Sequence, residues 1–331
     1  MKNFTYYRPT SAEQAVGLLD TMWGTSELLA GGTDLLDLQK EYVAKPDKVV
    51  SLGSVKGLAA IDEAAAAITL GAGAKLAELA AHATLKKEFP SLAEAAGDIG
   101  GPQIRNMGTL GGNLCQRNRC WYFRDEHVNC LLKGGDKCFA LDGENRYHAV
   151  FTKGHPCVIV NPSTLAPGLM ALGASATVLG PNGKRTLTLD KFFTSPNSAA
   201  DREHLLAPNE VVLYVTVPRE ARKNASYEVR HKQSYDWPLV QAAAAFKLED
   251  GKATDVRIVL GHVAPTPHVA ESAAKALEGK AVTEATAAAA GEAATEGAKP
   301  LSQNAYKLKL IAVAVKRAVL TAAGAKKYWE V

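Results

Sequence analysis

Residues 28–36 read LLAGGTDLL. Leu28, Leu29 and Ala30 end a strand-like run, Gly31 and Gly32 make a turn, and Leu35 opens a short helix continuing through DLQK. Glycine lets a backbone approach a ligand closely and take positive φ. Thr33 and Asp34 stand where they can cap the helix. Successive amides at such a junction make an anion site suited to a diphosphate. The spacing is not GxGxxG, so a Rossmann unit does not follow. A second turn, IRNMGTLGGNL at 104–114, carries Gly108, Thr109, Gly111, Gly112 and Asn113. The two turns either grip one diphosphate from two subdomains or are independent tight turns.

The flanking chain reads as βα units. FTYYRP is a short strand, and Ser11 can cap the helix AEQAVGLLD. KVVSL and AAITLGAG are strands, and KLAELAAHATLKKEF has helical spacing with Pro90 after its end. CVIV at 157–160, ASATVLGPNGKRTLTL with a hairpin turn at Pro181–Gly183, and VVLYVTVP complete a strand-rich half. Beyond a polar stretch at 219–224 the character changes. ASYEVRHKQ and PLVQAAAAFKLEDGKATDVRIVLGHV predict antiparallel strands turning at Asp250 and Gly251. HVAESAAKALEG, TEATAAAAGEAATEG and NAYKLKLIAVAVKRAVLTAA then predict alanine-rich helices that keep charges at helical spacing. No repeat of 20–50 residues is present.

A chain of 331 residues predicts two or three domains, and a hydrophobic fraction of 47% fills real cores. The formal charge of +4, without a Lys/Arg-rich run, argues against a nucleic-acid partner. No apolar run reaches the ~18 residues of a membrane span. The start, MKNFTYYRPTSAEQAVGLLD, lacks a signal h-region. The expectation is a soluble, cytoplasmic protein, or a periplasmic one if it is exported folded on a partner that carries the signal.

Four of the five cysteines fall in GGNLCQRNRCWYFRDEHVNCLLKGGDKC, residues 111–138, and the fifth is Cys157. An odd, clustered set is a poor disulfide framework in a chain this large and points to metal or catalysis. Cys120, Cys130, Cys138 and Cys157 are spaced C-x9-C-x7-C-x18-C. That is neither a ferredoxin run nor a zinc CxxC pair. Spacing alone leaves an iron–sulfur site, a zinc site using His148 or His155, and buried thiols all open. No Ser/His/Asp or paired-carboxylate motif marks a general acid or base.

The two glycine turns resemble those of the flavin-binding subunit of the xanthine dehydrogenase/aldehyde oxidoreductase family of molybdenum hydroxylases. FTYYRPTSAEQAVGLL, ITLGAGAKLAEL, NPSTLAPGLMALGA, VVLYVTVP and NAYKLKLIAVAVKRAVL extend the likeness over nearly the whole chain. The resemblance implies an α+β FAD-binding fold of the vanillyl-alcohol-oxidase (PCMH) type with two α+β subdomains over residues 1–220. A C-terminal domain of antiparallel strands and helices over 221–331 would follow. FAD would be held by residues 28–35 (Leu28, Leu29, Ala30, Gly31, Gly32, Thr33, Asp34 and Leu35), by Thr109, Gly112 and Asn113, by Thr164, and by Val212 near the flavin ring. Two positions depart from the family pattern. Thr164 stands in NPSTLAP where an aspartate is usual, and Glu228 replaces a lysine, for which Lys232 is the one nearby substitute.

RCWYFRD, NC, DKCFALDGENRYHA and PCVIV resemble the loop, about 115–157, of a branch carrying a [4Fe–4S] cluster, the periplasmic aldehyde oxidoreductases above all. Cys120, Cys130, Cys138 and Cys157 would then be the ligands and Cys115 a spare packed beside the flavin turn. The implied partners are a large subunit with the molybdenum cofactor, a small subunit with [2Fe–2S] clusters, and an external electron acceptor. Three rivals stand beside this reading: a 4-hydroxybenzoyl-CoA reductase-like flavin subunit, a self-contained flavin dehydrogenase, and a metal-stapled assembly subunit without FAD.

Overall fold

The structure, a computed structural model, describes residues 1–233 and 235–326. Its first layer is a parallel three-stranded sheet of β1 (Thr5–Tyr7), β2 (Ser26–Leu29) and β3 (Lys48–Ser51), ordered β1-β3-β2. Parallel neighbours need crossovers. The first is helix Ala12–Leu18, whose N-cap Ser11 accepts the Gln14 amide as expected. Ala15, Val16 and Leu19 carry it onto Val50, Leu179 and Val211.

The second layer is antiparallel. It contains β4 (Ile61–Glu63), β5 (Ala67–Gly71), β6 (Ser175–Gly180), β7 (Gly183–Thr188) and β8 (Val211–Pro218), ordered β4-β5-β8-β6-β7. β6 and β7 form the expected hairpin. The helix expected over 75–89 is two, Leu76–Ala81 and Ala83–Glu88, because His82 takes an extended backbone between them. Pro90 follows the second of them, as expected, and itself opens helix Pro90–Asp98. A proline at the first helical position gives up only an amide that has no partner there anyway.

The C-terminal sheet contains β9 (Lys223–Val229), β10 (Val240–Glu249), β11 (Lys252–Gly261) and β12 (His268–Val269), ordered β12-β11-β10-β9 and antiparallel throughout. The β10–β11 turn is at Asp250 and Gly251, both at positive φ. Helices Glu271–Leu277, Glu284–Ala293 and Tyr306–Ala322 cover one face. The alanine run of β10 is buried on both faces. Ala242 and Ala244 pack on these helices, while Ala243 and Ala245 join the core of the first half. Successive strand residues point to opposite faces, so side chains this small let two layers close on one strand. Gln241 in the same strand donates to Thr164 O at 2.8 Å and Ser226 Oγ at 3.0 Å, tying the halves together.

The segment between the second glycine turn and residue 164 is mostly irregular, with one turn of helix at Trp121–Arg124 and a 3₁₀ turn at Leu131–Lys133. The strand expected at 157–160 does not form. Val158 accepts one bond from Ala149 N, and its neighbours enter no ladder. Cys157 and Ile159 face an apolar pocket instead. Among the described residues no helix is long and apolar enough to cross a membrane.

Candidate functional site

A cavity of about 800 Å³ opens between the two glycine turns. Gly31 explains how they meet. A Cβ there would lie 2.1 Å from Met107 O and 3.0 Å from Gly108 Cα, so only a residue without a side chain lets one turn rest on the other. Gly32 follows at φ +77°, turning the chain into helix Leu35–Lys40. Among the described residues no acceptor takes up the amides of Gly31, Gly32, Thr33 and Asp34. Four adjacent uncommitted donors at a cavity wall are a cradle for oxyanions.

The second turn is fixed from behind. Leu76 N donates to Gly108 O at 3.0 Å, and Lys75 Nζ to Met107 O at 3.0 Å. Thr109 caps helix Leu110–Cys115 by accepting the Gly112 amide at 3.1 Å. Asn113 Oδ1 accepts from Ser163 Oγ at 2.7 Å, joining this turn to the 161–165 bend. Every residue expected at the flavin lines this one cavity except Leu29, whose Cδ1 lies 3.2 Å from where a Cβ on Gly32 would stand.

Asp34 is not the expected cap. It sits at the helix N-cap with no capping hydrogen bond. Its Oδ2 accepts Arg117 N at 2.9 Å, and its Oδ1 meets Arg124 Nη2 at 2.6 Å. Sequence reading also missed the charged wall beside it. Buried Glu203 meets Arg117 Nε at 2.8 Å and accepts both nitrogens of Asn118. Burial opposes its ionisation, yet the Arg117 charge and the Asn118 donors hold its carboxyl below its ordinary range. Arg202 lies 3.6 Å from Glu27 and its guanidinium is 4.5 Å from the Trp23 ring centre. Burial pushes its pKa down to about 10, and the Arg117 charge adds to that. In the sequence, Asp201-Arg202-Glu203 has the form of a solvated polar turn, and no local signal marks it as buried.

The two family departures touch. The Glu228 side chain is buried beside Thr164, with Arg230 Nη1 3.6 Å from its carboxylate and its Oε1 without a hydrogen-bond partner among the described residues. Burial, with the nearby Asp98 charge, pushes its pKa up to about 8. A neutral hydroxyl facing an acid that keeps its proton needs no buried cation. Lys232 does not substitute: it is exposed and its described contact is a backbone amide on Asp236 Oδ2.

The cysteines divide four and one. Cys115 packs on the main core beside the flavin turn, and burial pushes its thiol up to about 12. Cys120, Cys130 and Cys157 share an apolar pocket with Leu38, Phe123, Leu132 and Ile159, and Phe139 beside Cys138 closes on it. Cys138 lies beside Cys157 and close enough to Cys120 and Cys130 to be felt electrostatically by both. His148 Nε2 lies 3.1 Å from Cys120 Sγ. All five thiols are free. Among the described residues no three His, Cys, Asp or Glu side chains converge as a metal site, whether for zinc with His148 or His155 or for an iron–sulfur cluster. His155 instead lies against the backbone of Cys157, with Nδ1 3.0 Å from its carbonyl oxygen.

Comparison with known proteins accounts for both halves. Residues 2–220 match the family described as the FAD binding domain in molybdopterin dehydrogenase, and residues 225–322 match the carbon monoxide dehydrogenase flavoprotein C-terminal domain. The chain is 34% identical over 317 residues to the aldehyde oxidoreductase FAD-binding subunit PaoB of Escherichia coli K12, covering 94% of this chain and 95% of that one. It is 30% identical over 321 residues to the carbon monoxide dehydrogenase medium chain of Hydrogenophaga pseudoflava, covering 96% of each. A solved carbon monoxide dehydrogenase from that organism superposes with a TM-score of 0.76 at 28% identity, over 97% of both chains. Quinoline 2-oxidoreductase from Pseudomonas putida 86 superposes with a TM-score of 0.76 at 25% identity, over 98% of both. The α+β architecture and the cavity between its glycine turns are thus those of an oxidoreductase subunit, and the chain belongs to the FAD-binding medium subunits of the xanthine dehydrogenase, carbon monoxide dehydrogenase and aldehyde oxidoreductase family.

Proposed function

We propose that the chain holds FAD in this cavity and relays electrons within a molybdenum hydroxylase of three different subunits. The observation that carries the reading is the interlocked pair of turns, with four uncommitted amides facing the cavity. The amides of Gly31 to Asp34 take the diphosphate, Thr109 orders Gly112 and Asn113 on its other side, and Val212 offers an apolar wall to the ring. Bound there, FAD supplies the redox chemistry, and the protein supplies position, exclusion of water and electrostatics. Electrons come from a large subunit with the molybdenum cofactor through [2Fe–2S] clusters of a small subunit, and leave to an external acceptor. An aldehyde is the substrate class favoured by the PaoB likeness over 94% of the chain. The FAD-binding part comprises residues 1–220 and the C-terminal part the remainder, of which 327–331 lie outside the described residues.

Cys120, Cys130, Cys138 and Cys157 are assigned to a [4Fe–4S] cluster. Four thiols around one apolar pocket are the donor set that such a cluster takes. Each thiol would take an iron of its own rather than share one ion, so the lack of a single-ion site does not oppose it. Trp121, Tyr122, Phe123 and Phe139 shield it from water.

The test is an absorption spectrum with flavin and iron quantitation on anaerobically purified protein, before and after aldehydes are added to the co-purified complex. One FAD and four irons per chain, with bleaching by an aldehyde, is the expected result. A colourless chain free of both groups overturns the reading.

A further inference from the structure

The first glycine turn and the cysteine segment are bolted together by side chains that neither group needs for its own binding. Arg124 stands one helical turn after Cys120, its amide donating to Cys120 O at 3.0 Å. Its guanidinium spans both carboxylates of the flavin-turn helix, with Nη2 2.6 Å from Asp34 Oδ1 and Nη1 3.1 Å from Asp37 Oδ2. The remaining donors brace it against its own segment. Nε donates to Asn118 O at 2.9 Å, and Nη2 also to Arg117 O at 3.0 Å. Asp34 Oδ2 takes the Arg117 amide at 2.9 Å, so both oxygens of the last residue in the amide cradle are committed to the cysteine segment. A second observation is independent of charge. Leu38, one turn further along the same helix, packs in the pocket formed with Phe123, Cys130 and Cys157. The Arg124 side chain is 11% exposed, and a planar fork held on four acceptors in so dry a place is a rigid link rather than a surface ion pair.

We infer that cluster assembly and FAD binding are thermodynamically linked through the Asp34–Arg124 bridge. The inference rests on the flavin and cluster assignments made above. Cluster formation draws four cysteines onto fixed positions and thereby fixes residues 117–133, which hold the diphosphate turn. Without it, the turn must be ordered by FAD alone. Linkage is reciprocal: the factor by which the cluster tightens FAD is the factor by which FAD tightens the cluster. A factor of about tenfold is within the usual range of such coupling. Arg124 does not line the cavity, so it acts as a positioning residue.

The experiment uses the full chain in its co-purified complex. FAD affinity is measured by fluorescence on deflavinated protein, with the cluster present and after it has been stripped by chelator and ferricyanide. Loss of cluster absorbance to chelator is followed with and without FAD. In the wild type, stripping weakens FAD binding about tenfold, and FAD slows cluster loss in the same proportion. In Arg124→Ala, FAD binds more weakly and the coupling shrinks, the remainder being carried by Arg119 Nη1, 3.4 Å from the same two carboxylate oxygens, and by Leu38. Arg146→Ala, which removes an exposed pairing with Glu144 in the same segment, leaves the coupling intact. Should Arg124→Ala lose its near-ultraviolet dichroism, Arg124→Lys keeps the charge without Arg124's own two-carboxylate span and is expected to reduce the coupling as well. Equal FAD affinity in cluster-loaded and stripped wild type overturns the linkage while leaving both assignments standing. A wild type lacking FAD overturns the flavin assignment, and one with FAD but no iron overturns the cluster assignment. Either outcome takes the linkage with it.

Discussion

Replacing Gly31 by alanine tests whether the two turns act as one cradle. The added Cβ would stand 2.1 Å from Met107 O and 2.7 Å from Met107 C. Ordinary van der Waals distance begins at 3.4 Å, so one turn must retreat by about 1.3 Å. Met107 is not free to yield: its carbonyl accepts Lys75 Nζ, and Gly108 beside it both donates to Ile104 O and accepts Leu76 N. The retreat therefore falls on Gly31, the first of the four amides offered to the diphosphate. Overpacking of this kind costs about 1–3 kcal/mol. If that strain is relieved by moving the amides, FAD affinity falls by about tenfold to a hundredfold, at 1.4 kcal/mol per decade. The assay is FAD titration of deflavinated protein, together with the FAD-to-chain ratio after desalting. Gly57→Ala is the control. Gly57 is at positive φ, +75°, but nothing lies within 4 Å of its Cβ position, and it is outside the cavity. It should lower stability by about 1–2 kcal/mol and leave FAD binding alone. Gly31→Ala with wild-type FAD affinity, or Gly57→Ala losing flavin equally, would refute the cradle.

Three further outcomes test other parts of the molecule. The Glu228 carboxyl is raised from 4.5 to about 8, so the folded state holds a proton that the unfolded chain releases between those values. Its contribution to stability is therefore full below pH ~4.5, declines as pH rises to about 8, and is level beyond. Urea unfolding of Glu228→Gln across this window should show a flatter profile than wild type, and an unchanged slope would exclude Glu228 as the source. Cys130→Ser should purify without the iron that Cys115→Ser retains, as read by metal analysis, because Cys115 packs away from the thiol pocket. Lys307 is 1% exposed and donates Nζ to Tyr147 O at 3.0 Å and His262 O at 2.9 Å. Lys307→Met strands two carbonyls, at about 1–3 kcal/mol each, and should lower the melting temperature by several degrees; a melting temperature within one degree of wild type would contradict that role.

Much of the architecture was legible because its signals are local. Ser11 before a helix, the hairpin at Pro181–Gly183, the turn at Asp250–Gly251 and the spacing of the C-terminal helices each lie within a few residues of the structure they specify. Both glycine turns could be read for the same reason, and the family resemblance added Thr164 and Val212, which line the same cavity. Local signals failed where distant partners decided the outcome. Asp34 looked like a helix cap, but an arginine 90 residues on claims its carboxylate. CVIV looked like a strand, but its cysteine and isoleucine turn to the thiol pocket. Thr164 and Glu228 looked like two separate losses, yet they lie side by side. Periodicity and turn chemistry depend on neighbours along the chain, and sequence alone determined those. Ion pairs, orphan amides and the close seating of Gly31 on Met107 depend on which segments the packed sheets bring face to face, and only the tertiary structure decided them.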